Sequence, residues 1–260
     1  MRRRKWLVTT AILLFMAGSL FVTADQLLQF KRTVAFASDS SPLQIPVLCY
    51  HSIADQGSDN EYVVSPARFR EQMKWLHDEG YESISLQQFQ QLMTGKAKPT
   101  GHEVLITFDD GYKNNYVDAL PVLKQYGYQA TEFIVTNWVG GSGYLTWEQV
   151  KALHAAGWDI MSHTRTHPYL PLHTAKSQTD EIAGSKAAIE RHLGTEVTAI
   201  AYPYGLRSEE TMKLAKQSGY VYAFTFDDGW TSSSQNPYLL KRLFISGDMD
   251  LAAFQHKMES

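Results

Sequence analysis

The chain has 260 residues, of which 44% are hydrophobic and 20% are charged, and its formal net charge is −3 at pH 7. This length suits one large α/β domain, because barrels of that class run to about 200–250 residues as a single unit. The one cysteine, Cys49, excludes an internal disulfide framework, and we expect it to be a small core residue.

The N-terminus predicts an export signal. Residues 1–5 carry four positive charges, and residues 6–24 are uncharged and mostly apolar. Residues 22–24 (VTA) and 35–37 (AFA) both offer small-residue cleavage sites, and an apolar run of this length could instead remain as a membrane anchor. The sequence thus predicts three segments: a signal peptide or N-terminal membrane anchor (1–24), a linker (25–43) and a single domain (44–260).

The charge outside this leader argues against nucleic-acid binding. Residues 1–24 hold four of the 24 basic residues and none of the 27 acidic ones, which leaves 20 basic against 27 acidic residues and a formal charge of −7. Because an acidic protein is poorly suited to a polyanion, we expect no nucleic-acid partner. We expect an exported protein that is secreted, held at the cell surface or anchored in the membrane, with a monomer as the working assumption.

From residue 44 onward, short apolar runs alternate with helical patterns, which is typical of parallel β/α units. The runs are rich in β-branched and aromatic residues and predict seven strands, over residues 45–50, 103–108, 130–136, 158–162, 197–202, 220–226 and 239–245. Capping residues and terminal glycines predict helices over four intervening segments, 65–80, 146–157, 176–194 and 208–219. This pattern predicts a barrel or an incomplete barrel, with its active site at the C-terminal ends of the strands.

Acidic and imidazole side chains follow two of these strands. Residues 107–112 read TFDDGY and contain Asp109 and Asp110, whereas residues 162–167 read SHTRTH and contain His163 and His167. Each segment alone is weak, since Asp-Gly is a common turn and a lone histidine is more often structural. Together, one carboxylate and two imidazoles can bind a divalent metal and leave a position for water, while the second carboxylate takes the proton of that water. The combination predicts a metal-dependent hydrolase.

These residues resemble the polysaccharide deacetylases of the NodB homology type, carbohydrate esterase family 4, over about residues 44–260. TFDDGY matches the first motif of that family, and HTRTH matches its second motif, His-[Ser/Thr]-x-x-His. The resemblance implies a deformed (β/α) barrel of about seven parallel strands in a single catalytic domain. It further implies Asp109 as the general base and Asp110, His163 and His167 as ligands of a divalent metal, zinc in the first place and cobalt or nickel as alternatives.

Residues 202–205, which read YPYG, resemble the third motif of the family. This match implies that Tyr204 donates its backbone N–H to the oxyanion and that Pro203 shapes the substrate groove. The family usually places an arginine two residues before this proline to orient the base, and this chain has Ala201 there. Either another residue, such as Arg165 or Arg242, takes over that role, or the base is less well positioned.

The later motifs match less closely. The family's general acid is a histidine that follows a Leu-x-x-x-x-x pattern, and here residues 240–245 are followed by Ser246. His51 and His173 are therefore the candidates for the general acid.

Residues 225–230, TFDDGW, repeat the first motif at the place where the fourth is expected. We interpret Trp230 as lining the acetyl pocket, and Asp227 or Asp228 as capping a turn.

Residues 46–52, PVLCYHS, resemble the branch that contains biofilm poly-N-acetylglucosamine deacetylases. The resemblance implies hydrolysis of N-acetyl groups on an extracellular or cell-wall N-acetylglucosamine polysaccharide, with release of acetate. Tyr112 and Trp230 are candidates for contact with the sugar rings. The alternatives are a non-catalytic glycan-binding member of the same fold and an O-acetyl esterase on xylan-type polymers. A glycosidase is disfavoured, because adjacent aspartates rarely reach the carboxyl separation of roughly 5–9 Å that it needs.

Overall fold

The computed structural model describes residues 41–55 and 60–259. Twelve strands form in this part of the chain, and seven of them build a barrel. They are β1 (Gln44–Ile45), β2 (Val47–Tyr50), β3 (Ser52–Ile53), β4 (Val63–Val64), β5 (Tyr81–Ser83), β6 (His102–Asp110), β7 (Thr131–Ile134), β8 (Asp159–Ser162), β9 (Ala199–Ala201), β10 (Tyr222–Asp228), β11 (Thr231–Ser232) and β12 (Leu240–Phe244).

The barrel strands follow the order β2-β12-β10-β9-β8-β7-β6, and β6 pairs with β2 to close the ring. Every pairing round the barrel is parallel. Strand β5 adds to β6 outside the ring, and the short pairs β1–β11 and β3–β4 lie apart from it. Each of the seven predicted strands coincides with one barrel strand, so the predicted deformed (β/α) barrel is confirmed.

Helices surround the barrel. The α-helices of the described residues are α1 (Pro66–Asp78), α2 (Leu86–Met93), α3 (Leu120–Gln125), α4 (Trp147–Ala155), α5 (Ala175–Leu193), α6 (Glu209–Gln217) and α7 (Leu251–Glu259). A π-helix covers Asn115–Ala119, and 3₁₀ turns cover Leu170–Leu172 and Pro203–Gly205. The four predicted helices correspond to α1, α4, α5 and α6.

Local signals explain where these helices begin and end. The Ser65 hydroxyl caps α1 by accepting from a backbone N–H of its first turn, and Thr146 forms a capping box with Gln149 at the start of α4. Gly194 ends α5 in the left-handed conformation, with φ 70°. Helix α2 was not predicted, although it has an equivalent capping box at Ser85.

Aromatic side chains fill the space inside the barrel and between the barrel and its helices. Phe133 and Phe224 meet with ring centroids 5.6 Å apart, and the Arg242 guanidinium lies 5.7 Å from the Phe133 ring. Phe108 stacks on Trp158 at 5.2 Å. Cys49 is fully buried, as predicted, and its Sγ lies 3.7 Å from a carboxylate oxygen of Asp109. The apolar packing therefore gives way to charged groups at the C-terminal ends of the strands.

The predicted signal peptide or anchor over 1–24 lies outside the described residues, and so does the predicted linker over 25–43 apart from its last three residues. Residues from Pro42 onward form one compact unit. Within the described ranges, none of the helices is both long and apolar enough to cross a membrane.

Candidate active site

Asp109 and Asp110 end strand β6 and both face one cleft of about 260 Å³. Successive side chains of an extended strand point in opposite directions, so two adjacent residues do not ordinarily reach one centre. Here Asp110 has φ 77° and Gly111 has φ 82°, and this left-handed turn directs the second carboxylate back toward the first. A side chain at Gly111 would meet Ile134 Cγ2 at 3.3 Å, so the glycine also allows close approach to β7.

His163 and His167 come from the segment that follows β8. Thr164 and His167 both have positive φ, at 67° and 60°, and the Thr164 hydroxyl accepts from the His167 backbone N–H at 3.1 Å. Glu181 of α5 fastens the segment from outside, because its carboxylate accepts the backbone N–H groups of Arg165 and Thr166 at 2.9 and 2.8 Å. The chain thereby folds back so that both imidazoles reach the cleft.

Backbone strain is concentrated at this site. Four non-glycine residues of the described chain have positive φ, namely Asp110, Thr164, His167 and Tyr204. All four belong to the three sequence motifs that carry the predicted site. Such conformations cost on the order of 1–3 kcal/mol each and persist only where the surrounding structure enforces them.

Three potential ligand atoms converge in the cleft. Asp110 Oδ1 lies 3.5 Å from Nε2 of His163 and 3.5 Å from Nε2 of His167, and the two nitrogens are 3.1 Å apart. A tetrahedral zinc ion with bonds of about 2.1 Å needs ligand atoms about 3.4 Å apart. Asp110 Oδ1 is buried without a hydrogen-bond partner, and His163 Nδ1 donates to the Ala201 carbonyl at 2.8 Å, which leaves Nε2 to bind an ion. The three residues fit a divalent metal.

Burial sets the protonation of these ligands in the metal-free protein. Desolvation and the neighbouring Asp109 raise the pKa of Asp110 to about 7. Desolvation lowers the pKa of His163 to about 4, and desolvation together with His163 lowers the pKa of His167 to about 3. Both imidazoles are therefore neutral near pH 7, which is the form that binds a metal.

Asp109 is held by a buried arginine of β12, which lies two strands from β6 round the barrel, beyond β2. Arg242 of β12 donates to the two oxygens of Asp109 at 2.7 and 2.6 Å, and its other contacts are the Thr107 hydroxyl and the Thr225 carbonyl. Burial alone would raise the pKa of Asp109, but the Arg242 guanidinium outweighs burial and holds that pKa well below its usual range. Asp109 is thus an ionised carboxylate beside the three ligand atoms.

This contact shows which arginine lies on Asp109 in a chain that has Ala201 where the family usually has an arginine. Of the two alternatives, the structure places Arg242 on Asp109, whereas the side chain of Arg165 packs against Gly184 of α5. A sequence signal was present, since Arg242 shares its face of β12 with Leu240 and Phe244, which is unusual for a charged residue in a buried strand.

The two histidines that were candidates for the general acid lie in different places. His51 follows β2 and lines the cleft, where its ring lies 4.9 Å from that of Tyr62 and its Nδ1 is buried without a partner. Desolvation lowers the pKa of His51 to about 4. His173 is exposed after the 3₁₀ turn Leu170–Leu172 and does not line the cleft, so the structure does not bring it to the site.

Tyrosines line the cleft beside the three potential ligands. Tyr204, which follows the buried Pro203, has its ring 4.5 Å from that of His167 and stacks on Tyr169 at 4.3 Å with the rings 5° from parallel. Tyr169 and Tyr204 are each 48% exposed. Tyr112 also lines the cleft and stacks on Tyr144 at 5.4 Å. Two aromatic pairs thus border the cleft.

Trp230 lies elsewhere, contrary to the interpretation that it lines the acetyl pocket. It borders a separate cavity of about 300 Å³ together with Lys241 and Lys257. The place at the cleft is taken by Phe226, four residues earlier, whereas Trp230 follows the end of β10 at Asp228 and a turn at Gly229, which has φ 133°.

The chemistry of this constellation is that of a hydrolase. It combines a place for a divalent ion, an ionised carboxylate beside that place and a histidine in the same cleft. A carboxylate so positioned can take a proton from a water molecule near the ion.

Comparison with known proteins agrees with this chemistry. The polysaccharide deacetylase family model matches residues 96–223. The chain is 40% identical to the Bacillus subtilis (strain 168) protein YxkH, whose name places it among polysaccharide deacetylases, over 88% of this chain and 81% of that protein. It is 29% identical to the poly-β-1,6-N-acetyl-D-glucosamine N-deacetylase of Staphylococcus aureus (strain MRSA252), over 75% of this chain and 70% of that one.

Among solved structures, the Streptococcus pyogenes deacetylase PplD in complex with acetate superimposes with a TM-score of 0.80 at 30% sequence identity. The similarity covers 85% of this chain and all of that one.

Proposed function

The chain belongs to the polysaccharide deacetylase family, whose members hydrolyse N-acetyl amide bonds, and on this premise we propose that it is a metal-dependent N-deacetylase of an extracellular N-acetylglucosamine polysaccharide. The observation that carries the proposal is the ionised, buried Asp109 beside three ligand atoms that lie 3.1–3.5 Å apart. A metal site without such a base would suit binding, and a base without the ligands would lack an activated water.

Asp110, His163 and His167 would hold the ion, with zinc first and cobalt or nickel as alternatives. When bound, the ion supplies a Lewis acid that lowers the pKa of water and polarises the acetyl carbonyl. Asp109 takes the proton of the attacking water, and Arg242 keeps that carboxylate ionised and fixed in orientation. Water adds to the carbonyl carbon, the carbon–nitrogen bond breaks, and the products are acetate and a free amine on the sugar.

Two further groups complete the proposed reaction. Tyr204 donates its backbone N–H to the oxygen on which negative charge develops. His51 delivers a proton to the departing amine. Because burial lowers the pKa of His51 to about 4, its ring is neutral at pH 7 and must first receive a proton, which is the one that Asp109 takes from the attacking water. A nitrogen of the His51 ring lies within 4.8 Å of an Asp109 oxygen.

The surroundings of the cleft favour a carbohydrate polymer. The Tyr169–Tyr204 pair contacts the proposed metal ligand His167, and the Tyr112–Tyr144 pair also borders the cleft. Exposed aromatic faces next to a cleft suit stacking on sugar rings, and Pro203 would shape the groove between them. The relative from Staphylococcus aureus is named for poly-β-1,6-N-acetylglucosamine, and we propose the same class of polymer here.

The leader over residues 1–24 supports export, so we propose that the protein acts on its polymer outside the cell, either secreted or held at the surface. We also propose that the leader ends at residue 24 and that the catalytic domain begins at residue 44. The acidic composition is consistent with a neutral sugar substrate and with no nucleic-acid partner.

Acetate release by the full-length protein tests this function. The protein is stripped of metal with a chelator, supplied with zinc, cobalt or nickel, and incubated with β-1,6-linked or β-1,4-linked N-acetylglucosamine oligosaccharides. We expect metal-restored acetate release that is faster on the β-1,6-linked substrate. Asp109→Asn is the control, because it keeps the three ligands and the shape of the site but removes the base.

Three results would contradict the proposal. Tight binding of the oligosaccharides without acetate release, at full metal occupancy, would indicate a non-catalytic glycan-binding member. Acetate release from acetylated xylan alone would indicate an O-acetyl esterase. Wild-type rates in Asp109→Asn would exclude this carboxylate as the base.

A further inference from the structure

A third carboxyl group lies buried close to Asp109 and Asp110 and has no place in the proposed reaction. Glu132, in the middle of β7, is fully buried, and it pairs in register with Phe108 on one neighbouring strand and Ile160 on the other. A buried carboxyl group is costly unless hydrogen bonds compensate it. Desolvation raises the pKa of Glu132 well above the ordinary range. Glu132 does not line the cleft, so its burial requires another explanation.

The contacts of Glu132 lead to the turn that follows Asp110. Asn115 Nδ2 donates to the two carboxyl oxygens at 3.1 and 3.3 Å, and the Gly111 backbone N–H acts on the same carboxyl group, whose pKa it lowers. Gly111 and Asn115 stand at the two ends of the segment that carries the chain from β6 into the π-helix. Glu132 therefore ties one end of this segment to β7 through Asn115 and interacts with its other end through the Gly111 N–H.

That segment needs such a fastening. Asp110 has φ 77°, a conformation that costs a residue with a side chain on the order of 1–2 kcal/mol. This conformation positions the carboxylate so that Oδ1 lies 3.5 Å from Nε2 of each histidine. If the turn relaxed to a negative φ at Asp110, the side chain would point away from Asp109 and from both histidines.

We propose that Glu132 is a positioning residue that holds Asp110 in its left-handed conformation and so preforms the metal site. The inference rests on the proposed function only in that it takes Asp110 to be a ligand. Glu132 touches neither the ion nor the substrate, and it acts through the Gly111 N–H and the Asn115 side chain.

The turn that carries the histidines offers an internal contrast. Glu181 there accepts from Arg165 N–H, Thr166 N–H and the Thr166 hydroxyl at 2.9, 2.8 and 2.8 Å, which resembles the role of Glu132. Glu181 is half-exposed, so water can replace its hydrogen bonds when they are removed. Water has no such access to Glu132, and we expect substitutions at Glu132 to have the larger effect.

Zinc affinity, measured by competition with a chromophoric chelator, tests the proposal on the full chain. Glu132→Met keeps a side chain of similar size but removes both hydrogen bonds from Asn115 and the carboxyl group on which the Gly111 N–H acts, and we expect its affinity for zinc to fall by about 10–100-fold, as for other groups that orient a ligand. Glu132→Gln retains an acceptor and is expected to rescue the affinity to within about threefold of wild type. Glu181→Gln should stay within the same range.

Thr131→Val is the matched control. Thr131 adjoins Glu132, is fully buried, and its hydroxyl has no hydrogen-bond partner, so its removal should leave zinc affinity unchanged. The melting temperature of each metal-free variant, followed by circular dichroism, separates loss of fold from loss of positioning. If Glu132→Met does not fold, Asn115→Ala removes both hydrogen bonds between Asn115 and Glu132 and is expected to lower the affinity to an intermediate value.

A folded Glu132→Met protein, or in its place a folded Asn115→Ala protein, with wild-type zinc affinity would overturn the role of Glu132 and leave the proposed function intact. Wild-type protein that binds zinc but releases no acetate would overturn the proposed function, and a lower affinity in the variant would still support the role of Glu132. The two failures are therefore distinguishable.

Discussion

The same five residues, TFDDG, end two different strands of this barrel, at 107–111 in β6 and at 225–229 in β10. The first copy provides the two carboxylates that we propose as the base and a metal ligand. The second provides two ion pairs on the outside of the molecule, in which Asp227 contacts Arg207 and Asp228 contacts Lys257. Since the residues are identical, the difference must come from their position in the fold.

The first cause is which side of the barrel wall each residue faces. In β6, Thr107 and Asp109 both face inward and contact the Arg242 side chain, while Phe108 faces outward and stacks on Trp158. In β10 the alternation is reversed, because Phe226 lines the cleft and Asp227 turns away from it. A shift of one residue moves every side chain of a strand to the other face.

The second cause is the turn. Asp110 has a positive φ and is 9% exposed, so its carboxylate returns to the cleft. Asp228 does not share this conformation, and its side chain is 62% exposed. The two copies therefore differ in their neighbours, since the first has Arg242 paired with Asp109 inside the barrel and Glu132 hydrogen-bonded to Asn115 after its turn.

The largest expected effect is a difference between Asp110 and Asp228, the second aspartates of the two TFDDG copies. We expect Asp110→Ala to lower the affinity for zinc by more than about 100-fold, since it removes a ligand outright, and to abolish acetate release. Asp228→Ala removes only an exposed ion pair and should leave zinc affinity and turnover within about twofold of wild type. Chelator competition and acetate assays on both variants measure this difference, and equal losses in the two would contradict it.

The next effect concerns the arginine that each copy contacts. Arg242→Met leaves Asp109 buried and unpaired, so we expect the free energy of unfolding to fall by about 3–5 kcal/mol. Arg207→Met breaks a pair whose members are 26% and 43% exposed, and the loss should be about 0–1 kcal/mol. Urea denaturation of the metal-free proteins tests both values. Similar losses of unfolding free energy in the two variants would mean that the buried Arg242–Asp109 pair stabilises the fold no more than the partly exposed Arg207–Asp227 pair.

Arg242→Lys sharpens the same test. It retains the charge but not the paired donors, and it should fold with lower turnover, because one ammonium cannot fix both carboxylate oxygens.

The smallest of the three effects is the pH dependence of metal affinity. Asp110, with its pKa raised to about 7, must lose a proton before it binds the ion, whereas His163 and His167 stay neutral down to about pH 4. Affinity for zinc should therefore fall by about tenfold per unit as pH drops from about 7 to 5, and should be level above pH 7. Chelator competition across pH 5–8.5 measures this slope.

Asp228→Asn provides the control for the pH experiment, since its carboxylate pairs with Lys257 outside the cleft and should not alter the profile. A slope of two protons below pH 6.5 would show that the histidines titrate normally, and would contradict the effect of burial on them.

Much of the fold could be predicted from the sequence. Seven apolar runs predicted the seven barrel strands, and capping residues with terminal glycines predicted α1, α4, α5 and α6. Helices α2, α3 and α7 were not predicted. For α2 a start signal was present, because Ser85 forms a capping box. Short pairs such as β3–β4 depend on contacts between separate segments, which local patterns do not report.

For the site, the residue types and their places at strand ends brought Asp109, Asp110, His163 and His167 together correctly in space, while their catalytic roles stay predictions. Local sequence did not separate His51 from His173, because either could follow a strand or a loop into the cleft. Trp230 was misplaced because it follows the end of β10 and the turn at Gly229, where resemblance to the first motif does not fix the direction of the chain.

The sequence by itself determined the sequence of strands and helices and the identity of the reactive groups, because periodicity, capping and side-chain chemistry are local properties. Tertiary structure alone decided which TFDDG copy faces the cleft, that Arg242, 133 residues away, pairs with Asp109, and that Glu132 supports the turn at Asp110. These contacts depend on strand register and on closure of the barrel, which join residues that no local pattern relates.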